Sequence, residues 1–125
     1  GYTYSGHPVA AAAGLATLDV YREEGSFDQA RELETMFAEA IHQFDDHPMV
    51  IDVRNFGLMG AIELAPREGA PGARGLDAHK HCFWDQDLVI RNGMDILQFS
   101  PFLNSKPDDI HSMFDSVRLV LDKIN

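Results

Sequence analysis

Two places in this chain carry side chains that could grip an anion. The first is Arg91, in the run LVIRNG, where an arginine follows three apolar residues and precedes a turn. A guanidinium there must either reach water along its own apolar stem or meet an anion, and its planar fork matches a carboxylate. On position alone the solvent-facing reading is the simpler one. The second place is the opening run GYTYSGHP. Thr3 and Ser5 offer hydroxyls, Gly6 lets backbone come close, and Pro8 sits where a helix begins, with that helix's free amides and positive dipole end pointing back at the loop. Such an end holds a phosphate without a large positive charge. The loop lacks the glycine density of a phosphate cradle, however, and Thr3 and Ser5 read most simply as helix caps.

The remaining reactive types carry less. His79 and His81 stand two apart on a candidate helix and point to different faces, so no metal site is expected from them. His7 is better suited to orienting the loop than to holding metal. Cys82 lacks a second cysteine anywhere in the chain and reads as a small buried apolar residue. The pairs Asp45, Asp46 and Asp108, Asp109 fall at helix boundaries, where solvation and the helix dipole account for them. Lys80, Lys106 and Lys123 lie in polar surroundings and none reads as a buried nucleophile.

These candidates need elements to position them. The sequence predicts a helix from Val9 to Glu24, rich in alanine and ended by Gly25. A second begins at Ser26, with Gln29 three residues on as a capping box, and buries Phe27, Ala30, Leu33, Phe37, Ala40, Ile41 and Phe44 until the turn Asp45, Asp46, His47, Pro48. From Met49 the period changes: MVIDVRNFG and LMGAIELAP read as two strands joined around Gly57. REGAPGARG has no periodicity and reads as a loop, the one stretch expected to be mobile. A short helix follows from Leu76 to Gln86, burying Leu76, Phe83 and Cys82. LVIRN and DILQFSP then form a second strand pair around Asn92 and Gly93, lengthened by Met94 and Asp95. Ser105, with Asp108 three residues on and Pro107 between, opens a last helix whose apolar face is Ile110, Met113, Phe114, Val117, Leu121 and Ile124. The expected fold is α+β: a small, mostly antiparallel sheet with packed helices.

Composition sets the outer limits. At 125 residues with 45% hydrophobic content, one domain can bury a core without metal or disulfide staples. Twenty acidic residues against ten basic give a net charge of −10 with no basic stripe, which argues against nucleic acid. The single cysteine excludes a disulfide framework and fits a reducing compartment. No apolar run approaches the ~20 residues a membrane span needs, and the amino terminus lacks the pattern of a signal peptide, so a cytoplasmic location is expected. A first residue of Gly1 reads as processing, truncation or a piece of a longer chain.

Three stretches together resemble a known family. YTYSGHPVAAAAGLATLDVY, VRNFGLMGAIEL and LVIRNGMDILQFSPFLNSKPDDI, in that order, resemble the carboxy-terminal part of class III aminotransferases, pyridoxal-phosphate enzymes of fold type I. Within that group they are most similar to the omega-amino acid:pyruvate (β-alanine:pyruvate) enzymes. The resemblance implies that residues 1–47 are the end of a large domain with connecting helices, and 48–125 the small carboxy-terminal domain. It implies that Thr3, with Tyr2 beside it, reaches the phosphate of pyridoxal 5'-phosphate held in the neighbouring subunit of a homodimer or tetramer. Arg91 would bind the carboxylate of pyruvate or alanine and swing aside for other amino donors. The Schiff-base lysine has no match among the three lysines, so the chain alone is expected not to transaminate. The rival reading is a free-standing α+β interaction or regulatory module, in which Arg91 and the acidic surface serve a partner protein.

Overall fold

A computed structural model describes residues 2–124, so Gly1, the first residue of the opening loop, lies outside the described residues. The elements are α1 (Pro8–Glu23), α2 (Ser26–His42), β1 (Val50–Phe56), β2 (Met59–Leu64), α3 (Ala73–Gln86), β3 (Arg91–Gly93), β4 (Ile96–Phe99) and α4 (Pro107–Lys123). The four strands form one antiparallel sheet in the order β1-β2-β4-β3. Strand alternation sends Val53, Ile62, Leu64, Leu97 and Phe99 to one face, where they are buried against helices. The other face, carrying Arg54, Ala61, Gln98 and Arg91, is open. The fold is α+β.

The helix-covered face holds the core. Phe114 of α4 meets Phe37, Phe99 and Phe44 with ring centroids 5.4, 5.2 and 6.0 Å away, so one ring joins α2, the sheet and α4. Gly60 of β2 lets α2 come this close: a Cβ there would lie 2.5 Å from Ile41 Cδ1 and 2.9 Å from Phe37 Cε1. Arg118 of α4 donates to the Gln43 carbonyl at 2.7 Å and lies 4.4 Å over the Phe44 ring. Helix α2 therefore shares its core with the sheet. Helix α1 differs: none of its sixteen residues is buried, and Val9, Leu15 and Leu18 are more than half exposed. Its alanine-rich sequence supports the helix through intrinsic propensity instead of packing.

Several boundaries differ from the sequence expectation, and each difference has a local cause. Gly25, in the left-handed region at φ 64°, is the amino-terminal cap of α2, while Ser26 is inside the helix and Gln29 reaches back to the Glu24 carbonyl. Phe27 packs outward on Tyr21 of α1. At α4 the cap is Lys106, whose N–H donates to the Asp109 carboxylate at 2.8 Å, one residue beyond the expected Ser105. The second hairpin turns at Met94 and Asp95, because Asn92 and Gly93 are themselves paired with Leu97 and Ile96; Met94 takes φ 57°.

Helix α3 departs furthest. It begins at Ala73, inside the stretch read as a loop, and buries Gly75, Ala78 and Cys82 while Leu76, Phe83 and Trp84 face outward. The reason is proximity: a Cβ on Gly75 would fall 2.1 Å from the Met94 carbonyl oxygen, so only small residues fit between α3 and the hairpin. Residues 67–72 of that stretch are a loop of turns, as expected; Arg67 ties it to Asp77 of α3 at 2.9 Å, and Arg74 of α3 donates to the Ala65 carbonyl at 2.8 Å. Burial pushes the Cys82 thiol up to about 11. The folded thiol stays neutral where the unfolded one ionises, so its contribution to stability is complete below pH 9 and is lost as pH rises from about 9 towards about 11, by ~1.4 kcal/mol per unit. Urea titrations at pH 8 and pH 10 should show this loss in the native chain and not in Cys82→Ala.

Candidate functional site

The strands present their ends together. β1 and β4 finish, and β2 and β3 begin, at the same end of the sheet, and a cleft of about 780 Å³ opens there. Arg91 lies on its wall with Met59, Gln98, Phe99, Phe102 and Met113. Both Met59 and Phe102 are more than half exposed at its rim. The sequence reading left two fates for Arg91, water or an anion. In a chain with 20 acidic residues, its guanidinium has no acid or hydrogen-bond partner among the described residues. Arg54, on the same open face, contrasts with it: Asp52 and Glu63 both accept from its Nη1, meet its charge and raise its pKa. Of these two arginines on the open face, Arg91 is the one whose charge no acid meets: its side chain is exposed to solvent, as its position at a strand end suggested, and is free to take a carboxylate.

Its backbone is held from behind. His79 of α3 places Nδ1 2.8 Å from the Ile90 carbonyl, one residue before Arg91, and Asp95 fastens the far end of the hairpin to α3. The two histidines of the HKH run diverge as their spacing requires, since His81 turns instead to Asp85 at 2.8 Å. Lys123 and then His81 hold the Asp85 carboxyl below its usual range. Lys80, Lys106 and Lys123 are all exposed. Among the described residues, no three histidine, cysteine or acidic side chains gather where one metal ion could sit.

The opening loop is a separate feature. Two successive turns, Ser5 N–H to the Tyr2 carbonyl and His7 N–H to the Tyr4 carbonyl, present Tyr2 and Thr3 outward, and Tyr2 is 88% exposed. The cap of α1 is the His7 ring, which accepts from Ala10 N–H at 3.4 Å. Thr3 and Ser5 are thus not caps; their hydroxyls make no hydrogen bond among the described residues. No lysine or arginine precedes Arg22. This donor set fits one supporting contact to a cofactor phosphate, from the Thr3 hydroxyl, and leaves the phosphate's charge to be met elsewhere. None of the residues lining the Arg91 cleft comes from this loop or from α1, so the chain does not itself bring Thr3 and Tyr2 to Arg91.

The sequence reading missed Gln98 and Asp95. Gln98 was visible as a polar residue interrupting DILQFSP, much as Arg91 interrupts LVIRN. Asp95 had no local signal, because its partners lie 20 and 23 residues away.

Fold and cleft together describe an α+β domain with an anion-competent edge and, among its described residues, no buried amine. The chain belongs to the class-III aminotransferase family, whose model matches residues 1–121. It is 47% identical over 125 residues to an omega-aminotransferase of Caulobacter vibrioides, covering all of this chain and 28% of that protein. To a β-alanine–pyruvate aminotransferase of Pseudomonas aeruginosa it is 44% identical over 124 residues, again 28% of that protein. The omega transaminase from Pseudomonas jessenii in complex with PMP superposes with a TM-score of 0.89 at 28% identity, over 98% of this chain and 28% of that one. The chain therefore spans little more than a quarter of the length of the relatives it matches.

Proposed function

We propose that this chain is the carboxy-terminal part of a pyridoxal-phosphate-dependent omega-amino acid:pyruvate (β-alanine:pyruvate) aminotransferase, and that it supplies the acceptor-binding cation. The observation that carries the reading is Arg91, unpaired in an acidic chain and set in a largely apolar cleft. Residues 1–47 are the end of the large domain and its connecting helices, the second of which packs into the small domain formed by 48–125. The bare apolar side chains of α1 are covered by the remainder of the enzyme.

When bound, pyridoxal phosphate supplies the electron sink that lets an amine lose a proton from carbon and pass its nitrogen to a keto acid. This chain's own residues bind and orient. Arg91 holds the carboxylate of pyruvate through two parallel N–H donors, which fixes the direction of the keto carbon. Val89, Met59 and Phe102 at the cleft mouth limit water around that pair. Thr3, supported by Tyr2, donates its hydroxyl to the cofactor phosphate of the neighbouring subunit, so the working unit is a homodimer or tetramer. No helix among the described residues is long and apolar enough to cross a membrane; the cytoplasmic location we propose rests instead on the single, buried and free cysteine, which suits a reducing compartment.

Incubated with pyridoxal phosphate, β-alanine and pyruvate, the 125-residue chain should form no alanine, whereas the full-length holoenzyme should. Turnover by the chain alone, or none by the full enzyme, would refute the reading. Thr3→Ala in the full-length enzyme should weaken cofactor retention about tenfold, as expected for one hydrogen bond to a charged group. Absorbance-monitored reconstitution of the apoenzyme measures it.

A further inference from the structure

The strand register aligns Arg54, Ala61, Gln98 and Arg91 in one row across all four strands, and Gln98 is the direct cross-strand partner of Arg91. Both side chains leave the same face, and both line the cleft. Gln98 is half-buried, yet its amide, with two donors and an acceptor, has no hydrogen-bond partner among the described residues. Its Nε2 leans diagonally along β3, 3.2 Å from where a Cβ on Gly93 would stand. Glycine at 93 thus leaves the amide its place.

A carboxylate has about four acceptor sites, and a bidentate guanidinium fills two of them. Once Met59, Phe99 and Phe102 displace water, the other two need a donor or carry a desolvation cost. We infer that Gln98 is a specificity-determining residue of the acceptor site, its amide N–H donating to the same carboxylate that Arg91 binds. A neutral second donor leaves the subsite with a single positive charge, which suits 2-oxo acids carrying one carboxylate. The inference rests on the reading of Arg91 as the carboxylate ligand.

The test uses the full-length holoenzyme, with pyruvate as acceptor, propanal as an acceptor lacking the carboxylate, and propionate as an unreactive carboxylate whose Kd is read by calorimetry. Gln98→Leu should raise the pyruvate KM and the propionate Kd about tenfold, with kcat within twofold and propanal kinetics unchanged. Gln98→Glu, which keeps the length of the side chain but sets a negative charge where the amide donates, should raise both parameters at least as much as Gln98→Leu. If Gln98→Leu does not fold, the effect of Gln98→Glu decides. Parameters within twofold of wild type in the Gln98 variant, beside a large rise in Arg91→Ala, would overturn the role of Gln98 and leave that of Arg91 standing. No rise in Arg91→Ala either would remove both.

Discussion

Asp95→Ala is expected to destabilise the chain by about 3–5 kcal/mol, a large fraction of what a domain of this size possesses. Asp95 lies in the turn between β3 and β4 and is 7% exposed. Its carboxylate accepts from Gly72 N–H at 2.6 Å and Gly75 N–H at 2.9 Å, so it caps α3 from 20 residues away. Removing it leaves two amides of the α3 start without partners, in a place where Gly75 is already pressed against Met94. Water has little room to replace the carboxylate. Urea unfolding of this chain measures the loss, with Asp109→Ala as the comparison. Asp109 caps α4 within its own helix and in solvent, and its removal should cost about 1 kcal/mol. Equal costs at the two caps would show that burial adds nothing at Asp95. Because the turn also ends the strand that begins at Arg91, the Asp95 variant in the full enzyme should lose acceptor binding along with stability.

Arg91→Ala in the full-length enzyme should cost about 2–5 kcal/mol in kcat/KM for pyruvate, the range found when one partner of a desolvated charge pair is removed. The wild-type residue has no intramolecular partner to release, so the whole loss appears as weaker acceptor recognition. Arg91→Lys keeps the charge but not the fork and should recover only part of it. Propanal, which presents no carboxylate, should be converted equally well by wild type and variant. A parallel loss for propanal would mean that Arg91 supports the domain and not the substrate.

How much of this was legible in advance depended on the distance between cause and effect along the chain. The β1–β2 pair, the apolar face of α4 and the amphipathic run of α2 from Ala30 onward follow from side-chain periods of two and 3.6 and stand where the sequence put them, while Phe27 at the start of α2 faces out. The start of α3 did not, because its cap is Asp95 and its closeness to the hairpin depends on Gly75. Once that closeness is set, small residues face inward, and Leu76 and Phe83 are turned out against their hydrophobicity. The caps at Gly25 and Lys106 were missed by one residue, since neighbouring polar residues compete for such positions.

The candidate site divides the same way. Residue types and order alone marked Arg91 and the opening loop and, through their resemblance to relatives, pointed to the family. Those are properties of the local chain. Asp52 reaches Arg54 as its neighbour two residues away on one face of β1, but that Glu63 joins them and that Gln98 stands beside an unpaired Arg91 follows only from the antiparallel register, which brings residues from four strands into one row. Tertiary packing likewise decided that the Thr3 loop and the Arg91 cleft stay apart within one chain, because α1 buries no side chain against the core that positions the sheet.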